Sequence, residues 1–331
     1  MLNRFAALLD TRDRYLLTCH ENPDGDAVGA LLGLAHYLRG RGKELRIVIS
    51  PSLPDFLRFL DTEGWIEVYD PEGAHPDLAS WPETWVLVDA SEPQRLGKML
   101  GAFQASKALK VCIDHHLKEV SMGFDLEFVD STASASAELV YGLAAPRMTL
   151  PPAMALALYA GIADDTGNFR FSNATPRIHR FAAELIELGV DPAAVYQSLY
   201  HQGRPERLKL FGRAFESMRF LAEGRYATTL VTQADLQSCL AQPEDMEGLV
   251  NKALEIRGVE VSCLLSEMSD GRYKVGLRSK ARVNVNAVCR QLGGGGHKLA
   301  SGAKVDGPAK SAQTVVDALV VSQIDLDLPT T

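Results

Sequence analysis

Short apolar runs alternate with stretches of helical spacing along the first half of the chain, and this alternation constrains the fold more than any other feature. Tyr15 to Cys19, Leu45 to Ile49, Trp85 to Val88 and Val111 to Ile113 are strand-length and almost wholly apolar. Such runs suit parallel strands buried on both faces. Between and after them, Ala27 to Arg39, Ser134 to Leu143, Pro151 to Ala163, Pro176 to Leu188 and Asp191 to Tyr200 read as helices. Pro151-Pro152 suits a helix start and Gly189 a helix end. Residues 1–188 are therefore expected to form an α/β domain, a parallel sheet flanked by helices.

The pattern then changes. A linker is drawn over 189–206, its polar part running from His201 to Glu206. Over 207–331, Arg225 to Val231 alternates as a strand, Leu236 to Leu240 and Met246 to Leu254 have helical spacing, and Val259 to Met268 with Tyr273 to Arg278 reads as a hairpin turning at Ser269-Asp270-Gly271. Val285 to Leu292 is a helix running into Gly293 to Gly296. This second domain is expected to be smaller and α+β, with helices on one side of its sheet and a cleft between the domains. A length of 331 residues accommodates two such cores.

Charge separates the halves. Residues 1–204 carry 18 basic and 27 acidic side chains, and 205–331 carry 16 and 15. The overall charge of −8 excludes a protein that coats long duplex nucleic acid through a generally basic surface. Between Gly271 and Val305, however, eight basic residues (Arg272, Lys274, Arg278, Lys280, Arg282, Arg290, Lys298, Lys304) occur with no acidic one, a candidate anion-binding surface. Five scattered cysteines without a C-x-x-C pair argue against a disulfide framework. The charged N-terminus and the absence of an 18-residue apolar run predict a cytoplasmic protein that does not engage a membrane.

The residues at the strand ends carry the chemistry. His20, Asp24 and Asp26 come after the first run, Asp89 after the third, and Asp114-His115-His116 after the fourth. Ligands of open parallel sheets bind outside the carboxyl ends of the strands. Three strands thus deliver imidazoles and carboxylates to one edge, and Asp164-Asp165 at the end of a helix offers further carboxylates. This donor set, without thiolates, suits Mn, Mg, Fe or Zn. Carboxylates crowded there repel one another unless cations separate them, and a pair of divalent ions balances four aspartates.

These motifs, together with Asp165-Thr-Gly and Gly293-Gly-Gly-Gly-His297-Lys-Leu-Ala-Ser-Gly302, resemble those of the DHH/DHHA1 phosphoesterases. The match runs in order along nearly the whole chain, and within the family it is similar to the compact bacterial nanoRNase (oligoribonuclease)/pAp phosphatase branch. The resemblance implies a DHH domain and a DHHA1 substrate domain, with two divalent ions per chain, Mn by family preference and Mg or Co as alternatives. It implies that His20 and Asp24 hold one ion, that Asp26, His115 and Asp165 hold the other, and that Asp89 bridges both. Asp114 would steady a ligand imidazole, and His116 would contact the scissile phosphate. The family pattern places the ligand immediately before Thr166-Gly167, at Asp165 rather than Asp164. Arg278, Asn284, Gly294, Gly295, Gly296 and His297 are the substrate-binding candidates. Ala90 departs from the Thr that relatives often carry there, and Ser301 from the Ala that many carry.

The activity implied is hydrolysis of RNA of two to five residues to mononucleotides, and of 3′-phosphoadenosine 5′-phosphate (pAp) to AMP and phosphate. Partners are short RNA or DNA oligonucleotides and small nucleotides, and a homodimer is compatible with the sequence. A cyclic di-AMP or pApA phosphodiesterase is the alternative within the enzyme class. A non-catalytic nucleotide- or RNA-binding module with structural metals is the alternative from another class.

Overall fold

In the computed structural model, which describes residues 2–116 and 123–328, the apolar runs are strands of one sheet. β1 (Arg14–Cys19), β2 (Glu44–Ile49), β3 (Ile66–Val68), β4 (Thr84–Val88), β5 (Leu109–Asp114) and β6 (Leu126–Val129) lie in the order β3-β2-β1-β4-β5-β6 with every pairing parallel. Successive residues point to opposite faces, so each strand feeds two cores. Leu17, Val86 and Val88 join one buried cluster, whereas Leu16, Trp85 and Leu87 join another on the opposite face.

The helices of this unit are α1 (Leu2–Asp10), α2 (Gly25–Arg39), α3 (Leu100–Ala105), α4 (Ser136–Ala144), α5 (Pro152–Asp165), α6 (Pro176–Glu187) and α7 (Pro192–Tyr200). Local chemistry sets their starts. Asp24, Thr175 and Asp191 cap α2, α6 and α7 by accepting main-chain N–H groups, and Pro151-Pro152 opens α5. The closest helix packing joins α2 to α5. A Cβ on Gly29 would sit 2.4 Å from the Ala157 carbonyl oxygen and 3.0 Å from Gly161, so only glycine lets the two backbones meet. This crossing sets the N-terminus of α2 beside the C-terminus of α5.

The chain divides into compact units at 1–202 and 203–331. The span expected as linker is therefore mostly structured. Residues 192–200 are α7, whose Val195 and Leu199 are buried in the first core, and α8 (Pro205–Glu216) opens the second unit. Charged residues at Arg204, Glu206 and Arg207 mask the apolar row Leu210, Phe211 and Ala214 that makes α8 a core helix.

The second unit contains β7 (Arg219–Leu221), β8 (Tyr226–Val231), α9 (Gln233–Cys239), α10 (Leu249–Lys252), β9 (Val261–Glu267), β10 (Tyr273–Ser279), α11 (Val285–Gln291), β11 (Gly295–His297), β12 (Ala300–Val305) and α12 (Ala309–Asp327). Its sheet order is β11-β12-β10-β9-β8-β7, antiparallel except for the parallel pair β8 and β9. The expected hairpin is β9 and β10, with Tyr273 opposite Glu267 and a left-handed Gly271 in the turn. Helices cover both faces of the sheet and not one. Val288, Cys289, Val316 and Val320 of α11 and α12 pack against Val275 and Leu277, while Leu210, Phe211 and Leu236 of α8 and α9 pack with Val231 and Leu264. Among the described residues, no helix is long and apolar enough to cross a membrane.

Gly29→Ala tests the α2/α5 crossing. Alanine favours an isolated helix by about 1 kcal/mol, yet here the substitution should destabilise the protein by about 1–3 kcal/mol, read as a lowered urea midpoint. A raised midpoint would contradict the crossing.

Candidate metal centre

The order of the first sheet reverses between β1 and β4, and ligand crevices of open α/β sheets lie at such a switch. His20 follows β1 directly, Asp89 follows β4, and Asp114 ends β5 with His115 and His116 next in the chain. Asp24 caps α2, Asp26 lies in the first turn of that helix, and Asp165 ends α5. The α2/α5 contact therefore brings carboxylates from two helices to the loops of three strands.

The side chains gather in overlapping groups. Donor atoms of His20, Asp24 and Asp89 lie within 4.8 Å of one another, as do those of Asp26, His115 and Asp165. Asp89 joins the groups: Oδ2 is 3.4 Å from His20 Nε2 and Oδ1 is 3.6 Å from His115 Nε2. His115 Nε2 is also 2.9 Å from Asp165 Oδ2 and 3.7 Å from Asp26 Oδ2. A third group, Asp89 with His115 and His116, places His116 beside the shared carboxylate, Nδ1 at 3.8 Å from Oδ1. All six residues expected as ligands are thus brought together.

Main-chain groups hold these carboxylates. Asp26 accepts the Ser136 and Ala137 N–H groups of the first turn of α4, one on each oxygen, at 2.6 and 2.8 Å. Such N–H groups have no partner inside their own helix. Ser136 Oγ donates to Asp89 Oδ1 at 2.9 Å, so one residue steadies two candidate ligands. Sequence reasoning missed Ser136; its place at the start of the predicted helix over Ser134 to Leu143 was the only signal. Asp89 itself has φ of +59°, a left-handed conformation that costs a non-glycine residue energy and is typical of sites where geometry is imposed.

One expected role shifts. Asp114 does steady an imidazole, but the ring is that of His116: Oδ1 takes His116 Nδ1 at 2.7 Å and also accepts the main-chain N–H groups of His115 and His116. The tight turn after β5 carries the carboxylate back onto the second histidine. His116 is 47% exposed, so its ring can meet a ligand from solvent while Asp114 is fully buried.

The electrostatics favour a cation. Asp26, Asp89 and His20 are 0%, 2% and 3% exposed. Burial, followed by the charge of Asp89, pushes the Asp24 carboxyl up to about 6. Burial and the same neighbours raise Asp26 well above the carboxylate range, against the pull of its bonds to α4. Burial alone would lower His115, but Asp165 and Asp89 outweigh it and bring the imidazole up to about 9. Burial would likewise raise Asp114, yet the bond to His116 leaves it below its ordinary value, and that bond raises His116 in turn. His20 Nδ1 is buried without a hydrogen-bond partner among the described residues. His115 Nε2, which faces Asp26, Asp89 and Asp165, is likewise buried without a hydrogen-bond partner among the described residues, and a nitrogen so placed fits a divalent ion better than a protonated cluster.

The remaining candidates lie in the second unit. Gly295 to His297 form the edge strand β11, and His297 and Arg278 are both opposite Ala300, so the two basic side chains share a sheet face with only alanine between them. The adjacent row is Gly295, Gly302 and Gly276. His297 is exposed and Arg278 is half-buried, its guanidinium donating to the Leu277 carbonyl. The side-chain oxygen of Asn284 caps α11 by accepting the Ala287 N–H, so this residue has a structural task as well as its expected one. The basic segment is partly neutralised, since Arg272 pairs with Asp270 and Arg282 with Glu260.

Metal affinity should follow these protonation states. Asp24, at about 6 against an ordinary 3.8, and His115, at about 9 against 6.5, both bind protons more tightly when folded. Their contribution to the metal-free protein is fully present below the lower value of each pair and is lost as pH rises through the upper. A bound cation reverses the sign, because ligands must be deprotonated. The rise in thermal midpoint produced by saturating Mn should therefore be small at pH 5.5 and grow through pH 8. A rise independent of pH would contradict this linkage.

Known proteins share the same division. Residues 14–162 match the DHH family, N-terminal domain, and residues 234–321 match the DHHA1 domain. The chain is 35% identical over 88% of its length to 84% of the bifunctional oligoribonuclease and PAP phosphatase NrnA of Thermus thermophilus. It is 30% identical over 88% of its length to 90% of the protein of the same name in Bacillus subtilis. Its fold is similar to the crystal structure of an exopolyphosphatase-related protein from Bacteroides fragilis, with a TM-score of 0.90 and 27% identity over 98% of this chain and 96% of that one. With these matches on either side of the unit boundary, the chain belongs to the DHH family and carries a DHHA1 domain in its second unit.

Proposed function

We propose that the protein is a two-metal phosphoesterase that hydrolyses oligonucleotides of two to five residues to mononucleotides, and pAp to AMP and phosphate. The observation that carries this reading is the pair of donor groups joined through Asp89, with the His116 imidazole beside it and open to solvent. The names of the Thermus and Bacillus relatives, oligoribonuclease and PAP phosphatase, support the substrate class.

In this reading His20 and Asp24 would hold one ion, Asp26, His115 and Asp165 would hold the other, and Asp89 would serve both. Manganese is the ion we favour, by the preference of the family; a donor set of oxygen and imidazole nitrogen with no thiolate is compatible with it and with Mg. The bound ions would neutralise charge on the phosphoryl oxygens and lower the pKa of water at the site. The chain's own contribution is positional. Asp114 fixes the His116 ring through Nδ1, which leaves Nε2 to donate to a phosphoryl oxygen as negative charge spreads over it. Ser136 and the α4 N–H groups keep Asp89 and Asp26 from turning away as ligands exchange. In the second unit, Arg278 and His297, on one face with Ala300 and glycines between and beside them, offer a guanidinium and an imidazole flanking a surface without bulk. A flat nucleobase or ribose fits such a surface.

The test is a panel of pAp, two- to five-residue RNA, short DNA and cyclic di-AMP, each offered with Mn, Mg or Co and the products resolved by length. Mononucleotides from the short RNAs and phosphate from pAp are expected, with the highest turnover in Mn. Asp89→Ala should reduce both reactions by at least about a hundredfold, and His116→Ala by about a hundredfold in kcat with a smaller effect on KM. Binding of these ligands with no turnover in any metal would overturn the reading.

A further inference from the structure

The turn Asp24-Gly25-Asp26 presents two carboxylates to two different donor groups, and the peptide between them is gripped from outside those groups. We propose that Asp164 is a positioning residue for the metal centre: its carboxylate fixes the Gly25 amide, and with it the spacing of Asp24 and Asp26, while Tyr200 holds that carboxylate in place. The proposal rests on the reading of Asp24 and Asp26 as ligands of separate ions.

Three observations carry it. Asp164 Oδ2 accepts the Gly25 N–H at 2.7 Å, a short charge-assisted bond, and Oδ1 accepts the Tyr200 hydroxyl at 3.1 Å. The two oxygens thus hold groups of α2 and α7, while the adjacent Asp165 is a member of a donor group. Consecutive residues leave a helix about 100° apart, so one carboxylate at the end of α5 points into the cluster and its neighbour points to the start of α2. The second observation is steric. A Cβ built on Gly25 would lie 2.7 Å from both Cβ and Oδ2 of Asp164, so the turn and the carboxylate are packed against each other with no slack. The third is electrical. The Gly25 N–H belongs to the first turn of α2 and lacks an acceptor within that helix, and an anion there is favoured by the helix dipole. Tyr200, the last residue of α7, is brought against Asp164 by a separate helix, and burial together with the charge of Asp164 pushes its phenol up, so it remains a donor.

A purely structural clamp would change stability and leave metal binding alone. A positioning role predicts that Asp164→Ala weakens Mn binding by about tenfold or more, measured by calorimetry or by the free-Mn signal in electron paramagnetic resonance. It also predicts a kcat at saturating Mn about tenfold lower with little change in KM. Asp164→Asn, which can still accept from Gly25, should restore affinity to within about threefold of the parent protein. Gly25→Ala should reproduce the Asp164→Ala defect, and combining the two should add little, because both release the same contact. Tyr200→Phe, which removes one hydroxyl from the network, should shift Mn affinity in the same direction by a smaller factor and serves as the test if Asp164→Ala does not fold. Parent-like Mn affinity in Asp164→Ala, or in Tyr200→Phe should that variant alone fold, overturns the proposal. So does an Asp164→Asn variant no better than alanine. A parent protein that binds no Mn at all overturns the reading of the whole centre, a distinct result from a parent that binds Mn and variants that bind it equally well.

Discussion

Mutual repulsion among buried carboxylates is the constraint on which the first unit turns. At the carboxyl edge of the sheet Asp26 and Asp89 are buried and Asp24 is partly buried, and the charge of Asp89 raises the pKa of both Asp24 and Asp26. A cluster of this kind survives only if protons or cations balance it, and only if the scaffold resists the tendency of each side chain to swing out. The scaffold supplies that resistance in several places. The glycine-lined crossing of α2 and α5 sets the helix ends, the N-terminus of α4 takes both oxygens of Asp26, and Ser136 fastens Asp89 in a left-handed conformation. Each device acts on the carboxylates or on the backbone that carries them, and together they fix where the donor atoms lie.

Acid and base are divided between the units. The first concentrates carboxylates where cations can sit, and the second carries a run of basic residues on and around β10, β11 and β12. Register gives that run its organisation. Because Arg278 and His297 oppose the same residue of β12, their side chains share a face, and the glycines of the neighbouring row keep that face low. The Gly293 to Gly296 stretch thus ends in an edge strand, and its glycines serve by having no side chain as much as by offering N–H groups.

Much of this was legible in the sequence, and the reasons are physical. Doubly buried parallel strands have to be apolar, so β1, β2, β4 and β5 announce themselves, and polar residues immediately after them have few places to be other than the strand ends. Between Asp164 and Asp165 the family resemblance favoured the latter; what the sequence could not show is that Asp164 accepts the Gly25 N–H and the Tyr200 hydroxyl while Asp165 sits among the donor atoms of Asp26 and His115. Ser136 was illegible because a serine at a helix start is an ordinary cap, and nothing local says that its hydroxyl reaches across to the Asp89 carboxylate after β4. The target of Asp114 depended on how the chain turns after β5. α8 was hidden because its first turn is charged, and the helices on both faces of the second sheet follow from that omission together with α12.

The most direct measurement of the central claim is the number of divalent ions that the purified protein retains, counted by elemental analysis after loading with Mn at pH 8 and gel filtration. Two ions per chain are predicted, from two donor groups that share one carboxylate. A protein that retains none, and whose stability is the same with and without Mn, would contradict the account.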